Sequence, residues 1–313
     1  MNQASSSLSR DAVVFPGQGA QRPGMARDFC AAFSLARDVF AEASDALDLD
    51  VSVLCSGEDG RLELTEYAQP AILTAEIAMF RAVCSEYGLR SEIFGGHSLG
   101  EYSALCAAGV IPLRDAVRIV RRRGAAMQRA APLGEGGMVA VNRPSVEHNV
   151  IAAVAADFDV DIASFNSPDQ VVLSGMKASL AGACANLAAR GYELVHLDVS
   201  APFHSRLMAG AAPYLLEVLD LAMPHFNPVS AACVVSNVDG GLHHPERRAL
   251  VDALVRQLSS PVHWGRNMSL LGDCADRIFE IGPSSPLRGL FRSVGLRVSS
   301  ITSLVGAERE FRA

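Results

Sequence analysis

The segment GHSLG (96–100) has the residue pattern of a nucleophilic serine at a sharp turn. It follows the apolar pair Ile93–Phe94, which predicts a buried strand, and it precedes a predicted helix over residues 99–108. A tight strand-to-helix turn has no room for side chains beside its tip, so glycine is required on both sides. The turn exposes the hydroxyl, and the helix N-terminus behind it offers backbone N–H groups to a developing oxyanion. We therefore predict that Ser98 is a nucleophile.

A serine hydroxyl with its ordinary pKa needs a base, for which a histidine is the first candidate. His204 lies in SAPFHS (200–205), where the chain is predicted to return from an inserted unit to a larger domain. Because such junctions line clefts, His204 can meet Ser98, although its position also fits a purely structural histidine. The other histidines considered have structural interpretations: packing for His97, a solvated loop for His243 and His244, and no distinguishing context for His148, His225 and His263.

A second glycine-rich turn, FPGQGAQ (15–21), follows the predicted strand 12–15. It is either a plain connection between a strand and a helix, or the source of a second oxyanion donor beside the N–H of Leu99. The turn lacks the Gly-x-Gly-x-x-Gly pattern, so the sequence gives little support to dinucleotide binding.

Composition and charge exclude several classes of protein. Half of the 313 residues are hydrophobic and 19% are charged, which argues against a disordered chain. The net charge of −7 argues against a nucleic-acid binder, because phosphates are neutralised by a surplus of Lys and Arg. The only lysine, Lys177, lies in SGMKAS (174–179) rather than after a glycine-rich turn, so a P-loop is excluded.

Cysteine usage and the start of the chain indicate a reducing compartment. The seven cysteines are odd in number and lack Cys-x-x-Cys spacing, which argues against a disulfide framework and against a zinc site. The polar start MNQASSSLSRD lacks the charged and apolar regions of a signal peptide, and no run of about 18 uncharged apolar residues is present. We expect a soluble, cytoplasmic protein that binds neither a membrane nor a metal.

The order of predicted elements indicates an α/β fold with two parts. Alternating strands and helices over residues 10–132 and 200–305 predict a large discontinuous domain around a parallel sheet. Residues 133–199 predict strand, helix, strand, strand, helix and strand, which is the ferredoxin-like βαββαβ order. Residues 1–9 and 306–313 are expected to be loose tails.

Three local patterns give sharper expectations. Pro70 is expected to open a helix, because proline is favoured at the first helical position. Ser145 is expected to cap a helix over residues 145–155, since a serine side chain can accept from the first free N–H groups. The apolar run over residues 231–236 predicts a strand.

Taken together, the motifs resemble the malonyl-CoA:acyl-carrier-protein transacylases, a family that includes free-standing acyltransferases of polyketide synthases. The resemblance covers residues 11–305 and keeps the family's order. The segments that carry it are FPGQGAQRPGM (15–25), YAQPAIL (67–73), GHSLGEYSAL (96–105), RGAAMQ (123–128), NSPDQVVLSG (166–175), PFHS (202–205), SNVDG (236–240), QLSSPVHW (257–264) and EIGPSSPLRGL (280–290). It implies a hydrolase-like α/β domain that carries the serine, and an inserted ferredoxin-like subdomain.

The resemblance implies transfer of a malonyl group from malonyl-CoA to the phosphopantetheine thiol of an acyl carrier protein, in fatty-acid or polyketide synthesis. His204 would take the Ser98 proton, a malonyl-serine would form, and the carrier thiol would attack it, with no cofactor. Arg123 would hold the malonyl carboxylate through two parallel hydrogen bonds, and an acetyl group would leave it buried and unpaired. Its neighbours Arg121 and Arg122 must point elsewhere on the helix.

Four further residues receive roles through the resemblance. Gln18 and Leu99 would provide the backbone N–H donors of the oxyanion hole. The main-chain carbonyl of Gln257 would orient the histidine in place of the acidic residue of a usual triad. Phe203, directly before the base, favours malonyl over methylmalonyl. An acidic carrier protein would dock on a monomer through arginines at the cleft mouth, and the candidates are Arg122, Arg206 and Arg256.

Other functions compete with this interpretation. An editing thioester hydrolase on the same fold would share Ser98 and His204 and let water take the acyl group. A general α/β-hydrolase esterase needs an acidic residue between nucleophile and histidine in chain order, and Asp161 and Asp198 are available. A non-enzymatic docking platform would lack the serine or the base, and the sequence contains both.

Overall fold

The computed structural model describes residues 10–58, 60–131, 134–199 and 201–312. Within these ranges the strands are β1 (Asp11–Phe15), β2 (Ser91–Gly96), β3 (Gly136–Asn142), β4 (Asp161–Ser167), β5 (Gln170–Met176), β6 (Glu193–Leu197), β7 (Arg277–Ile281) and β8 (Ser299–Ile301). The helices are α1 (Arg27–Ala32), α2 (Ser34–Leu47), α3 (Val51–Ser56), α4 (Thr65–Tyr87), α5 (Leu99–Ala107), α6 (Leu113–Ala130), α7 (His148–Asp157), α8 (Lys177–Ala189), α9 (Ala212–Ala222), α10 (Arg247–Gln257), α11 (Trp264–Cys274), α12 (Leu287–Ser293) and α13 (Leu304–Phe311).

A parallel sheet in the order β2-β1-β7-β8 positions the two glycine-rich turns that the sequence predicts to form the site. All five residues of β1 are buried, as expected for a strand covered by helices on both faces. The turns that leave β1, β2 and β7 therefore meet at one edge of the sheet, where ligands bind in parallel α/β folds. The predicted α/β class is confirmed.

A second sheet, in the order β4-β5-β3-β6, is antiparallel throughout. With α7 and α8 packed on it, this sheet has the predicted ferredoxin-like order, and its apolar side chains form a core of their own. Residues 132, 133 and 200, at the expected boundaries between the two parts, lie outside the described residues. The boundaries 10–132, 133–199 and 200–305 thus stay a prediction.

Two predicted helix starts are wrong. Helix α4 begins at Thr65, so Pro70 lies in its second turn, where its carbonyl accepts the Thr74 hydroxyl at 2.7 Å. Helix α7 begins at His148, and Ser145 has a φ of +54° outside it. The backbone N–H of Ser145 donates to the Asp169 carboxylate at 2.9 Å, so a contact with the neighbouring turn fixes this residue instead of a cap.

Two other segments also differ from expectation. Residues 228–233 form a 3₁₀ turn in place of the predicted strand. The β pairing that follows is limited to two isolated bridges, from Val234 to Phe94 in parallel and from Val235 to Leu242 in antiparallel orientation. The end of the chain, expected to be loose after residue 305, is helical through Phe311. The Phe311 ring stacks on the rings of Tyr87 and Phe279, each at 5.4 Å, which holds α13 against the domain. The expected tail 1–9 lies outside the described residues.

One helical stretch among the described residues, 206–225, is long and apolar enough to cross a membrane by length and composition alone, with a mean hydropathy of 1.2. It contains Glu217 and Asp220. Helix α9, within this stretch, packs on α6, and Leu215 and Leu219 are part of the core. These contacts are those of an amphipathic helix at the surface of a globular domain.

Candidate active site

The turn between β2 and α5 holds Ser98 in a conformation that few residues adopt, with φ +55° and ψ −104°. A Cβ atom on Gly96 would lie 1.9 Å from backbone atoms of Gly100, and one on Gly100 would lie 2.2 Å from the Phe15 carbonyl oxygen. Both flanks of the serine must therefore be glycine, as the sequence pattern predicts. The close packing fixes the hydroxyl at the tip of the turn.

The structure brings the predicted nucleophile and base together. Ser98 Oγ lies 2.7 Å from His204 Nε2, and His204 Nδ1 lies 2.8 Å from the carbonyl oxygen of Gln257. Because a carbonyl only accepts, Nδ1 carries the proton and Nε2 is free to accept the serine hydroxyl. The acids of the esterase interpretation are elsewhere: Asp161 accepts the backbone N–H of Arg206, and Asp198 is exposed.

Arg123, on α6, lies against the same serine oxygen. Its Nη2 atom donates to Ser98 Oγ at 3.2 Å and to Gln257 Oε1 at 2.9 Å, while Nη1 donates to Gln69 Oε1 at 3.0 Å. The residue is 1% exposed and forms no ion pair with any described carboxylate. Its guanidinium also lies 5.3 Å from the Tyr102 ring centroid. Because the buried positive charge contacts only neutral groups, an anionic ligand would neutralise it and bind favourably.

The two expected oxyanion donors lie on neighbouring turns. Leu99 is the first residue of α5, so no intrahelical carbonyl accepts its N–H. The turn after β1 packs against it, since a Cβ on Gly17 would lie 2.5 Å from the His97 carbonyl oxygen and 3.8 Å from Leu99 N. The Gln18 side chain donates to Thr65 Oγ1 at 3.2 Å, which holds this turn in place.

A cavity of about 890 Å³ opens on the nucleophile between the two sheets. Of the predicted site residues, Gln18, Ser98, Phe203 and His204 line it, with Met138 from the ferredoxin-like part and Leu290 from α12 on other walls. Arg123, Leu99 and Gln257 lie behind this surface and reach the site through hydrogen bonds or backbone groups.

Four polar residues around the turn were not predicted from the sequence. Asn237 accepts the Ser98 N–H at 2.7 Å and donates to the Gly96 carbonyl at 2.7 Å. Glu101 is buried beneath the serine, and the side chain of His243, expected in a solvated loop, is buried beside it. Gln69 holds Arg123. Three of the four lie inside recognised motifs, but a motif does not say which of its side chains points inward.

Burial sets the charge state of the base. Desolvation, together with the nearby Arg123 guanidinium, lowers the pKa of His204 to about 3, although the hydrogen bond to Gln257 opposes the shift. The imidazole is therefore neutral, and able to accept a proton, throughout the neutral range. Burial likewise lowers the pKa of His97, whose Nε2 lies 2.9 Å from Asn166 Oδ1.

The three arginines expected to bind a carrier protein already have carboxylate partners. Arg206 pairs with Asp159, Arg256 pairs with Asp239 at 3.2 Å, and Arg122 pairs with Glu217 at 3.2 Å.

All seven cysteines are free thiols, and no group of three His, Cys, Asp or Glu side chains within the described ranges is arranged to hold a metal ion.

Comparison with known proteins gives matches along almost the whole chain. Residues 12–279 match the acyl transferase domain family. The malonyl CoA-acyl carrier protein transacylase of Escherichia coli (strain K12) is 39% identical, over 92% of this chain and 93% of that protein. FabD from Acinetobacter baumannii superposes with a TM-score of 0.88 at 36% identity, covering 97% of this chain and 98% of that one. A malonyl-transacylase solved in complex with its type II polyketide synthase acyl carrier protein has a TM-score of 0.87 at 37% identity, covering 97% and 99%.

Proposed function

The chain belongs to the malonyl CoA-acyl carrier protein transacylases and transfers malonyl groups to an acyl carrier protein, and we propose that Ser98 carries the malonyl group while His204 moves the protons. One observation carries the assignment of residues. A single oxygen, Ser98 Oγ, lies 2.7 Å from the base and 3.2 Å from a buried, otherwise unneutralised guanidinium. A nucleophile and an anion-binding group at one atom fit an acyl group that ends in a carboxylate.

The first half-reaction loads the enzyme. Ser98 Oγ bonds to the thioester carbon of malonyl-CoA while His204 Nε2 takes its proton. The Leu99 and Gln18 N–H groups stabilise the oxyanion that forms. The carbon–sulfur bond then breaks, the imidazolium returns the proton to the leaving sulfur, and malonyl-Ser98 and free coenzyme A remain. The Gln257 carbonyl keeps the ring in one tautomer throughout.

The second half-reaction reverses these roles. His204 takes the proton of the phosphopantetheine thiol, the sulfur attacks the malonyl ester, and the departing Ser98 oxygen regains a proton from the imidazolium. The thioester of malonyl-CoA is exchanged for the ester of malonyl-Ser98, and this ester is then exchanged for the thioester of the carrier protein. The two half-reactions therefore balance without a metal or redox cofactor.

The enzyme is proposed to act as a cytoplasmic monomer, since Ser98, His204 and Arg123 come from one chain and every thiol is free.

The transfer is tested by following the mass of the intact enzyme. Wild-type protein is incubated with malonyl-, methylmalonyl- or acetyl-CoA, and mass is recorded before and after addition of holo-acyl carrier protein. We expect a malonyl adduct that moves to the carrier, with less adduct from methylmalonyl-CoA because Phe203 lines the cavity beside the serine. Loss of the adduct to free malonate in the presence of carrier, without malonyl-carrier, would support the editing hydrolase instead.

The pH dependence of loading tests the state of the base. With the pKa of His204 near 3, the rate of malonyl-enzyme formation should change less than twofold between pH 7.5 and 5.5. An imidazole with the ordinary pKa of about 6.5 would lose about tenfold over this interval. Rapid-quench single-turnover loading with labelled malonyl-CoA measures the difference, and a tenfold fall centred near pH 6.5 would contradict the assignment.

That experiment needs a folding control at each pH. The lowered pKa means that the unfolded chain binds a proton at His204 below about pH 6.5, whereas the folded chain stays neutral there. The free energy of unfolding is therefore expected to fall as the pH drops below this value. Melting temperature, measured in the same buffers, separates loss of fold from loss of base.

The carrier protein is proposed to dock on α12, at the cavity mouth. Leu287 and Ser293 of this helix line the cavity, and the same helix exposes Arg288 and Arg292. Unlike the three arginines expected from the sequence, neither forms a salt bridge with a carboxylate in the described part of the chain, although the positive charge of Arg288 also acts on the buried Glu280 carboxyl. Unpaired exposed cations beside the entrance fit an acidic partner that must insert its prosthetic arm.

Reversing these two charges should affect only the second half-reaction. The double variant Arg288→Glu/Arg292→Glu is expected to raise the KM for the carrier protein about tenfold, while loading from malonyl-CoA stays unchanged. Arg248→Glu is the matched control, because Arg248 is exposed but already pairs with Asp220 at 3.1 Å. Steady-state transfer at two salt concentrations measures both effects, and an unchanged KM for the carrier would rule out this docking face.

A further inference from the structure

A buried carboxylate lies directly beneath the nucleophile and is used by neither half-reaction. Glu101, three residues after Ser98, accepts the Asn237 N–H at 3.1 Å, the His243 Nε2–H at 2.6 Å and the side-chain N–H of Gln257. A carboxylate can only accept hydrogen bonds. Glu101 therefore requires that the amide of Gln257 present its nitrogen, which also donates to the Ser98 carbonyl at 3.0 Å.

The orientation of that amide determines whether its oxygen or its nitrogen faces the Arg123 guanidinium. With Nε2 turned to Glu101, Gln257 Oε1 faces the guanidinium and accepts from Nη2 at 2.9 Å. Were the amide turned over, two donors would face each other and Arg123 would lose this acceptor. The main-chain carbonyl of the same residue holds His204 Nδ1. Gln257 thus connects Glu101 to the malonyl-binding cation and to the base.

His243 is a further buried residue that contacts Glu101. Its side chain is 1% exposed, whereas that of the adjacent His244 is 70% exposed, so one loop buries one histidine and leaves the other in solvent. The buried ring has one side-chain partner among the described residues, Glu101. The backbone N–H of His243 donates to the Val234 carbonyl at 2.9 Å, which fixes where the ring enters.

We propose that His243 is a positioning residue for substrate selection: its hydrogen bond to Glu101 fixes the Gln257 amide and thereby holds Arg123 ready for the malonyl carboxylate. This inference rests on the proposed role of Arg123. His243 does not touch the substrate, and its contribution reaches the reacting atoms through three side chains. Its loss should therefore weaken recognition of the carboxylate more than the chemistry at the thioester.

The test compares malonyl-CoA with acetyl-CoA as donors. His243→Leu removes the donor to Glu101 and should lower the ratio of kcat/KM for malonyl over acetyl about tenfold, the effect of weakening one charge-assisted hydrogen bond. His243→Gln, whose amide nitrogen can stand near the position of Nε2, should restore most of the ratio. His244→Ala is the matched control and should keep the wild-type ratio. A purely structural role would lower both rates in proportion.

The possible outcomes are distinct. An unchanged ratio in His243→Leu, whatever its absolute rate, would overturn the inference. If that variant does not fold, His243→Asn and His243→Gln replace it; the shorter amide cannot reach Glu101, so equal ratios in these two would be equally decisive. A wild-type enzyme that does not prefer malonyl-CoA would instead overturn the role of Arg123, and this inference with it. Melting temperatures of all variants accompany the kinetics.

Discussion

Ser98→Ala should lose malonyl transfer by roughly 10⁶-fold, the loss expected when the nucleophile of a serine–histidine pair is removed. Without Oγ no covalent intermediate forms, and His204 at 2.7 Å is left with nothing to deprotonate. Binding of malonyl-CoA should persist, since Arg123 and the cavity are unchanged.

Intact-mass spectrometry after incubation with malonyl-CoA measures this outcome directly. The wild type should gain one malonyl group and Ser98→Ala none. Ser293→Ala is the matched control, because this serine lines the same cavity from α12 and its hydroxyl donates only to the Leu290 carbonyl, at 2.7 Å. A malonyl adduct on the Ser98→Ala protein would show that another side chain is the nucleophile.

The geometry of the turn that carries Ser98 could be predicted from the sequence because its causes are local. A serine with glycine on both sides, between an apolar strand and a helix, admits one geometry, and the near-contacts at Gly96 and Gly100 explain why. The ferredoxin-like unit was equally predictable, since the order of its elements already defines its topology. Neither prediction depends on which distant side chains meet.

The predictions that failed depend on contacts between distant segments. Ser145 has the residue type of a helix cap. Its backbone N–H instead donates to the carboxylate of Asp169, in the turn between β4 and β5, and the residue lies outside helix α7. His243 stands in the polar stretch GGLHHPERR, which is typical of a solvated loop, and only the tertiary structure places it against Glu101. The amino-acid composition of these nine residues does not contain that information.

The binding partners of the surface arginines could not be predicted from the sequence either. Arg122, Arg206 and Arg256 are indistinguishable in the sequence from arginines that would bind a partner, and each is engaged by a carboxylate of its own chain. Exposed pairs of this kind contribute little stability. They do, however, neutralise the local field, which is why the proposed docking face is α12, whose exposed arginines form no salt bridge with a described carboxylate.

Arg123→Ala should lower kcat/KM for malonyl-CoA by roughly 10²–10³-fold, because a buried charge pair that loses one partner costs about 3–5 kcal/mol. Acetyl-CoA has no carboxylate to bind, so its transfer should change far less. In the wild type the guanidinium is held by Gln69 and Gln257 and is 1% exposed, which gives it no other anion to bind among the described residues. The preference for malonyl should therefore collapse in the variant.

The comparison is controlled within the same helix. Arg122→Ala removes an adjacent arginine that points outward to Glu217, and it should leave the malonyl-to-acetyl ratio unchanged. Single-turnover loading from each donor separates carboxylate recognition from carrier docking, since no carrier protein is present. Equal losses on malonyl- and acetyl-CoA in Arg123→Ala would mean that the guanidinium acts only on Ser98, through the 3.2 Å contact to its hydroxyl, and not on the malonyl carboxylate.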